Sequence, residues 1–145
     1  MRKIILIFAI TLAFVSELKA QENNVFKAKL TSSEEGVGMV INFYDKDVVV
    51  EGQELLGCVA GYIFADYDYR KWIIVDADIT DESTAELTVV NDYGSEDLTA
   101  LLKVDSEGKY TLKQLKGSAI KFSKEKKWQK IPKNLIFTGK EMLEY

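Results

Sequence analysis

The sequence predicts an all-β domain, an antiparallel up-and-down meander of about 8–10 strands, in which a closed barrel is favoured over a sandwich. Short apolar runs with a period of two recur roughly every 8 to 12 residues, and charged or glycine-containing turns separate them. No stretch shows the apolar period of an amphipathic helix. Closure is favoured because many short strands in an open sheet would expose edges that promote aggregation.

The first twenty residues are typical of a secretory signal peptide. Arg2 and Lys3 precede an apolar core of twelve residues, 4–15, and Ala20 supplies the small residue at the expected cleavage site. The alternative is a membrane anchor, but such a core is short of the ~20 residues that span a bilayer. We therefore predict a signal peptide at 1–20, a single all-β domain at 21–145 with no stable membrane span, and a secreted or periplasmic location.

The strands are predicted from alternation and from the turn residues between them. Residues 61–79 form the central hairpin, and its polar, aromatic tip is 66–71. Gly108 offers a left-handed position in the turn 105–108, and Pro132 is confined to a turn or a strand edge. The predicted strands are 25–30, 37–44, 48–51, 55–65, 72–80, 85–90, 97–104, 109–112, 117–122, 128–131 and 135–138.

Residues 55–65 are predicted as one long apolar strand, with Gly57 and Gly61 at bends of a curved sheet. Cys58 lies in this apolar context, so a buried structural thiol is favoured over a reactive one. It is the only cysteine, and no intrachain disulfide can form. Residues 141–145 are predicted to be a loose tail.

Charge is distributed unevenly along the mature chain. Residues 21–108 hold six Lys and Arg against nineteen Asp and Glu, whereas residues 109–140 hold ten Lys against Glu125 alone. The favoured interpretation is that basic C-terminal strands lie beside acidic earlier strands and complement them. The alternative is a bipolar surface that steers a charged partner. Nucleic acid is not expected as a partner, because the net charge is −4 and the lysines form no binding motif.

The composition excludes several catalytic classes. The chain has no histidine, which removes the commonest general base, the commonest zinc ligand and every Ser-His or Cys-His pair. It also lacks a G-x-S-x-G motif, a phosphate-binding loop and a C-x-x-C motif. We expect a non-enzymatic protein with no catalytic residues, no cofactor and no metal.

Acidic residues recur two positions apart at three places: Asp45 and Asp47, Asp66 and Asp68, and Asp76 and Asp78. In an extended strand such a pair lies on one face, as calcium binding, two-carboxylate glycoside hydrolysis or a cation-binding surface would require. The favoured interpretation is that these residues form the solvent faces and turns of half-buried strands. Residues 76–87 lack the glycine and the final glutamate of the helical calcium-binding loop.

The tip of the central hairpin is the candidate site. Within eleven residues the chain holds five aromatic residues, Tyr62, Phe64, Tyr67, Tyr69 and Trp72. Exposed tyrosine and tryptophan favour recognition, because they offer a large rigid contact area with a polar group. An equally weighted interpretation is that these rings plug the open ends of a barrel or cover its core. The predicted partner-binding residues are Asp66, Tyr67, Asp68, Tyr69, Arg70 and Trp72.

From Gly61 onward an aromatic strand, an Ile-rich strand and a Glu-Leu-Thr strand follow one another. Gly-Lys-Tyr-Thr-Leu at 108–112 and Lys-Gly-Ser-Ala-Ile at 116–120 come later, before a lysine-tryptophan return. This order resembles small exported bacterial β-proteins of the meander type and, more distantly, lipocalin and avidin barrels. The resemblance covers roughly two thirds of the mature chain and implies a lipocalin-like barrel. The Gly-x-Trp of lipocalins is missing from 25–30, so the resemblance implies no particular ligand.

The favoured hypothesis is an exported, non-enzymatic β-domain that binds a protein partner, of the inhibitor, immunity or envelope-accessory type. The expected signal peptide, the missing histidine and the aromatic hairpin tip motivate it. The second hypothesis is a carrier that holds a small apolar ligand inside the barrel. The third is a carboxylate-dependent polysaccharide hydrolase, which needs two carboxylates about 5 to 9.5 Å apart across a cleft.

Overall fold

Strands make up most of the residues that the computed structural model describes, 24–143. The predicted signal peptide lies outside the described residues. The helical structure within that range is one 3-10 turn, Glu54–Leu56, and no helix there is long and apolar enough to cross a membrane. The strands are β1 (Lys27–Ser32), β2 (Val37–Asn42), β3 (Val48–Val49), β4 (Cys58–Val59), β5 (Gly61–Ala65), β6 (Asp68–Asp81), β7 (Thr84–Asn91), β8 (Asp97–Val104), β9 (Tyr110–Gly117), β10 (Lys121–Lys124), β11 (Lys127–Lys130), β12 (Asn134–Phe137) and β13 (Gly139–Met142).

Nine of these strands form one antiparallel sheet in the order β12-β9-β8-β7-β6-β5-β2-β1-β13. Strands that follow one another in this sheet pair with their neighbours along the chain, which is the pattern of an up-and-down meander. The sheet is barrel-shaped and nearly closed. The predicted all-β antiparallel barrel is therefore confirmed.

The C-terminal segment of the sheet supplies both of its edge strands. β12 pairs with β9, and β13, which follows it directly, pairs with β1 across the opening. Between them the Thr138 N–H donates to the Thr31 carbonyl at 3.1 Å. The prediction that 141–145 is a loose tail is wrong for residues 141 and 142, because the outer edge of β1 needs hydrogen-bonding partners.

Apolar side chains fill the barrel interior, since alternate residues of each strand face inward. The inward-facing set includes Leu30, Met39, Ile41, Ile63, Ile74, Leu87, Leu102 and Leu112, each less than 2 % exposed. Burial of one such side chain contributes about 1.5–3 kcal/mol. None of these eight side chains exposes an appreciable surface to which a ligand could bind, so they give the carrier hypothesis no support.

A second, smaller core lies on the outer face of the barrel. Residues 43–60 leave the sheet between β2 and β5 and form the short β3–β4 pair. Val48 and Val50 from this excursion pack on the outward side chains of Tyr62 and Ile73. Part of the aromatic central hairpin is therefore buried on both of its faces.

The prediction of one long strand over 55–65 is wrong. The chain forms the 3-10 turn there and then leaves it through Gly57, which has a left-handed φ of 76°. This reversal turns Leu55 outward, and β4 and β5 follow as separate strands. The expectation that Cys58 is buried is also wrong, because its side chain is exposed.

A two-stranded hairpin, β10–β11, is inserted between β9 and β12 and stays outside the main sheet. The strand predicted at 117–122 is interrupted, because β9 ends at Gly117 with a φ of 106°. In a meander alternate connections lie at the same end, so this insertion shares one end of the barrel with the β1–β2, β5–β6 and β7–β8 turns. We call this the upper end. Ile120, Phe122 and Ile131 from the insertion join the main core.

Two neighbouring residues of β12 test the closure of the barrel. Phe137 is 1 % exposed and Ile136 is 51 % exposed. We expect Phe137→Ala to lower the free energy of unfolding by about 3–5 kcal/mol, because it leaves a cavity in the core. Ile136→Ala, the matched control, should cost less than about 1 kcal/mol. Urea denaturation followed by tryptophan fluorescence measures both, and equal losses would contradict the inward position of Phe137.

Candidate functional site

A cleft of about 450 Å³ lies at the upper end, between β6, the β7–β8 turn and the β10–β11 hairpin. We call it the upper cleft. Three separate segments of the chain supply its walls, so its shape depends on how the hairpin is held. The lining residues are Arg70, Lys71, Trp72, Asn91, Asp92, Tyr93, Ser95, Glu96, Lys121 and Trp128.

Asp68 holds the hairpin against the barrel. Its side chain is 2 % exposed, and one carboxylate oxygen accepts the Ser123 backbone N–H at 2.7 Å. The other oxygen accepts from the Arg70 backbone N–H at 3.1 Å and from the Arg70 guanidinium at 3.2 Å. A buried carboxylate needs such partners, because an unpaired charge in the interior is costly.

Trp72 provides the second attachment. Its side chain is buried, and the indole N–H donates to the Lys121 carbonyl at 3.0 Å. Tyr67 packs edge-on against Phe122, with 6.4 Å between the ring centroids. β10 is thus fixed to β6 by two side-chain hydrogen bonds and to the β5–β6 turn by one aromatic contact.

Arg70 lies at the mouth of the upper cleft among aromatic rings. Its guanidinium carbon is 4.9 Å from the ring centroids of both Tyr69 and Trp128, which is cation–π distance. Interaction with the Tyr93 side chain raises the pKa of Arg70, against a smaller lowering by burial. Lys121 also lies near the Trp128 ring and forms an ion pair with Glu96 at 3.2 Å. The three rings, those of Tyr69, Tyr93 and Trp128, are themselves largely exposed.

Two buried polar atoms in this cleft have no hydrogen-bond partner among the residues that the structure describes. They are Nε of Arg70, a donor, and Oδ1 of Asp92, an acceptor. The other carboxylate oxygen of Asp92 accepts from the Gln53 side-chain amide at 3.2 Å and from the Lys71 backbone N–H at 3.3 Å. Because most buried polar groups in proteins are paired, an unpaired donor and an unpaired acceptor in one cleft need a physical explanation.

The predicted site residues do not form one exposed tip. The turn of the central hairpin is only Asp66 and Tyr67, and the residues from Asp68 to Trp72 belong to β6. Asp66 is exposed and its N–H donates to the Gly36 carbonyl at 2.8 Å. Tyr67 is half-buried, and burial raises its pKa, assisted by nearby carboxylates.

Arg70 is a predicted residue that lines the upper cleft, and the exposed ring of Tyr69 lies against its guanidinium. Asp68 and Trp72 act from below the surface, by holding the hairpin in place. The interpretation that the rings cover the core therefore describes part of the tip, and recognition of a partner stays a prediction. Tyr67 and Trp72 cover the core, and Tyr69 is available for contact.

Sequence reasoning missed Asp92, Tyr93 and Trp128. Tyr93 lies in the turn after β7, and Trp128 lies on β11 among lysines. Their convergence on Arg70 is a tertiary contact between distant segments, which no local pattern encodes. The sequence does contain one indication of Tyr93 and Trp128. Both are large aromatic residues in polar stretches of the chain, where packing of a hydrophobic core does not require them.

The acidic pairs do not form a metal site. Within residues 24–143, no three His, Cys, Asp or Glu side chains are grouped so as to hold a metal ion. Asp45 and Asp47 both accept from the side-chain amide of Asn42, at 3.3 and 3.0 Å, as part of a turn. Asp76 forms a surface ion pair with Lys46 at 2.9 Å, which lowers the pKa of that carboxyl.

The basic C-terminal strands do not lie beside the most acidic strands. In the sheet β8 and β7 stand between β9 and β6, and Asp78 of β6 faces Glu86 of β7 directly. Such a like-charge pair is unfavourable across strands. The expected complementarity of neighbouring strands is therefore wrong for the main sheet.

Removing the Asp68 carboxylate tests the attachment of the hairpin. We expect Asp68→Ala to lower the free energy of unfolding by about 3 kcal/mol, because the Ser123 N–H and Arg70 lose a buried acceptor. The Ser123 amide should also lose protection from hydrogen exchange. Asp66→Ala, at the exposed neighbouring position, should change stability by less than about 0.5 kcal/mol. Equal protection of the Ser123 amide in both variants would show that Asp68 does not hold the hairpin.

Comparison with protein-family models, curated proteins and solved structures found no match to this chain. The resemblance to exported meander proteins and lipocalins therefore stays a prediction. The geometry of the upper cleft is what supports a function for the chain.

Proposed function

We propose that this chain is a non-enzymatic binding domain whose upper cleft receives a protein partner. The observation that carries the proposal is the group of exposed aromatic rings around Arg70, those of Tyr69, Tyr93 and Trp128. A partner that covers these rings removes a large, rigid contact area from water, and a polypeptide also offers polar groups to the hydroxyl, indole and guanidinium groups of the site.

The residues at the mouth of the cleft support a protein partner. Tyr69 is 75 % exposed, Tyr93 68 % and Trp128 57 %. Tryptophan, tyrosine and arginine are the residues that most often dominate the binding free energy of protein interfaces. The attachment of the hairpin by Asp68 fixes Trp128 beside Arg70 before any partner arrives, which lowers the entropic cost of association.

The charges of the cleft also support a protein rather than a polyanion. Three basic residues, Arg70, Lys71 and Lys121, line the cleft with two acidic residues, Asp92 and Glu96. The buried Asp68 carboxylate beneath them pairs with Arg70 and brings the charges of the site into balance. Nucleic-acid sites carry an excess of basic residues that neutralise phosphates. A site with so small an imbalance favours a protein surface over a polyanion.

The wider setting is part of the proposal. If the predicted signal peptide directs export, the partner is met outside the cytoplasm, as for an inhibitor, an immunity protein or an envelope-accessory protein. Next to the upper cleft a wider groove of about 900 Å³ shares Lys71, Asp92 and Tyr93 with it. Together the two depressions offer the extended, concave surface that a folded partner or a loop of one can occupy.

A quantitative pull-down from the organism that carries the gene tests the proposal. The bait is the mature protein, and the test variant combines Tyr69→Ala, Tyr93→Ala and Trp128→Ala. The matched control combines Ile136→Ala and Met142→Ala, which remove exposed apolar side chains from other strands. Thermal unfolding verifies that both variants are folded.

We expect at least one protein to bind the wild type and the control equally, and to bind the cleft variant at least tenfold less, since hot-spot truncations each cost about 2 kcal/mol or more. If every captured protein binds the cleft variant as well as the wild type, the upper cleft is not the binding site.

A further inference from the structure

We infer that the partner adds an extended, acidic segment to the open edge of β11, as a third strand of the β10–β11 hairpin. This inference rests on the proposed function and specifies how the partner reaches the upper cleft. It is carried by the backbone geometry of β11, by the charges around it and by the position of Trp128.

Among the strands of residues 24–143, β11 pairs with β10 alone and leaves its other edge unpaired. Its four residues are all exposed. The two turn residues, Glu125 and Lys126, have φ values of 53° and 67°, which is typical of a tight two-residue hairpin turn. Such a turn makes the flanking residues of the hairpin a hydrogen-bonded pair.

The register then fixes which backbone groups point outward. Hydrogen-bonded and non-hydrogen-bonded pairs alternate, and Trp128 and Lys130 occupy the non-hydrogen-bonded pairs opposite Ser123 and Lys121. Their N–H and C=O groups therefore point away from β10. The next pair along the hairpin, Ile120 and Ile131, agrees with this alternation, because the Ile131 N–H donates to the Ile120 carbonyl at 3.0 Å.

The edge is rigid enough to act as a template. β10 is attached to β6 through Asp68 and Trp72, and Phe122 is buried in the core. A peptide that pairs with β11 would therefore join a strand that is already ordered, as in known cases of strand addition. The ordering cost falls on the partner segment alone.

The charges of the hairpin select the chemistry of the added strand. Residues 121–130 hold five lysines against Glu125 alone. Within the described residues no ion pair is formed by Lys126, Lys127 or Lys130. Lysines on an edge repel another copy of the same edge, whereas carboxylates on the facing strand would pair with them. This argument favours an acidic partner segment over self-association.

The added strand would also reach the upper cleft. Trp128 lies on the face of the hairpin that lines the cleft, beside Arg70 and Lys121. A residue of the added strand that faces Trp128 lies on the same side of the extended sheet. Main-chain pairing at the edge and side-chain contact in the cleft therefore act together on one segment.

Selection of displayed peptides tests the inference and does not require the partner to be identified first. A phage library of linear ten-residue peptides is selected on the mature protein, and the enriched peptides are synthesised for affinity measurement. We expect enrichment of acidic peptides with alternating β-branched or aromatic residues. Two methylated forms of each peptide are compared, one with methyl groups on the backbone nitrogens of the odd-numbered residues and one on those of the even-numbered residues. One form should bind about tenfold more weakly and the other should bind as before, because only one edge of an added strand faces β11.

Two substitutions at one position separate backbone pairing from charge. Lys130→Pro and Lys130→Ala both remove the charge, but only the proline removes the outward N–H. We expect the proline variant to bind the selected peptide about tenfold more weakly than the alanine variant. The Trp128 amide should become protected from hydrogen exchange when the peptide binds.

The outcomes distinguish this inference from the proposed function. Strand addition would be overturned if the selected peptides bind Trp128→Ala more weakly but bind Lys130→Pro as well as Lys130→Ala, and if neither set of methyl groups weakens binding. The cleft would then remain as a binding site. Enrichment of basic or uncharged peptides would overturn the charge argument. Failure to enrich any peptide that depends on Trp128 or Lys130 would count against both. If the wild type dimerises and Lys130→Pro abolishes the dimer, a second copy of the chain occupies the edge of β11 and the acidic partner segment is ruled out.

Discussion

The backbone groups along the edges of a β-sheet need partners, and this constraint organises the whole molecule. A meander of seven antiparallel strands, here β1 to β9 without the short β3–β4 pair, begins and ends with an unpaired edge. Here one C-terminal segment pairs with β9 through β12 and then with β1 through β13. The barrel closes because the same short stretch of chain serves both edges. The inward apolar side chains can then be excluded from water on every side.

Closure also determines where the candidate site is built. Because β12 must return beside β9, the residues between them form an insertion at the upper end of the barrel. This insertion is too polar to enter the interior as a whole, so it contributes a few apolar side chains and leaves a hairpin outside. Asp68 and Trp72 attach that hairpin to β6. The upper cleft is the space that remains between the attached hairpin and the turns of the barrel.

Much of the barrel could be predicted from the sequence because alternation is a local property. β8 has the predicted bounds, and β2, β7 and β12 differ by a few residues at their ends. The errors occur where tertiary contacts outweigh local pattern. Residues 55–58 are apolar but lie outside the barrel, and β13 is polar but is needed to cover an edge. Neither fact can be inferred without knowing which strands are neighbours.

The site was predicted only in part, for the same reason. The concentration of aromatic and charged residues around Tyr69 and Arg70 was visible in the sequence. Burial of the Asp68 carboxylate was not, because a neighbouring aspartate, Asp66, has the same local pattern and is exposed. The contributions of Asp92 and Trp128 come from segments that meet only after closure. Periodicity can indicate which face of a strand is buried, but it does not show which loops share an end of the barrel.

The most direct test of a protein partner at the upper cleft is site-specific photo-crosslinking in cells that express the native protein. Benzoyl-phenylalanine is placed at Ser95, an exposed residue that lines the cleft, and separately at Ile136 on the outer face of β12. The account predicts that irradiation gives a discrete covalent protein adduct from position 95 and none of that mass from position 136. The same adduct from both positions, or an adduct from position 136 alone, would contradict it.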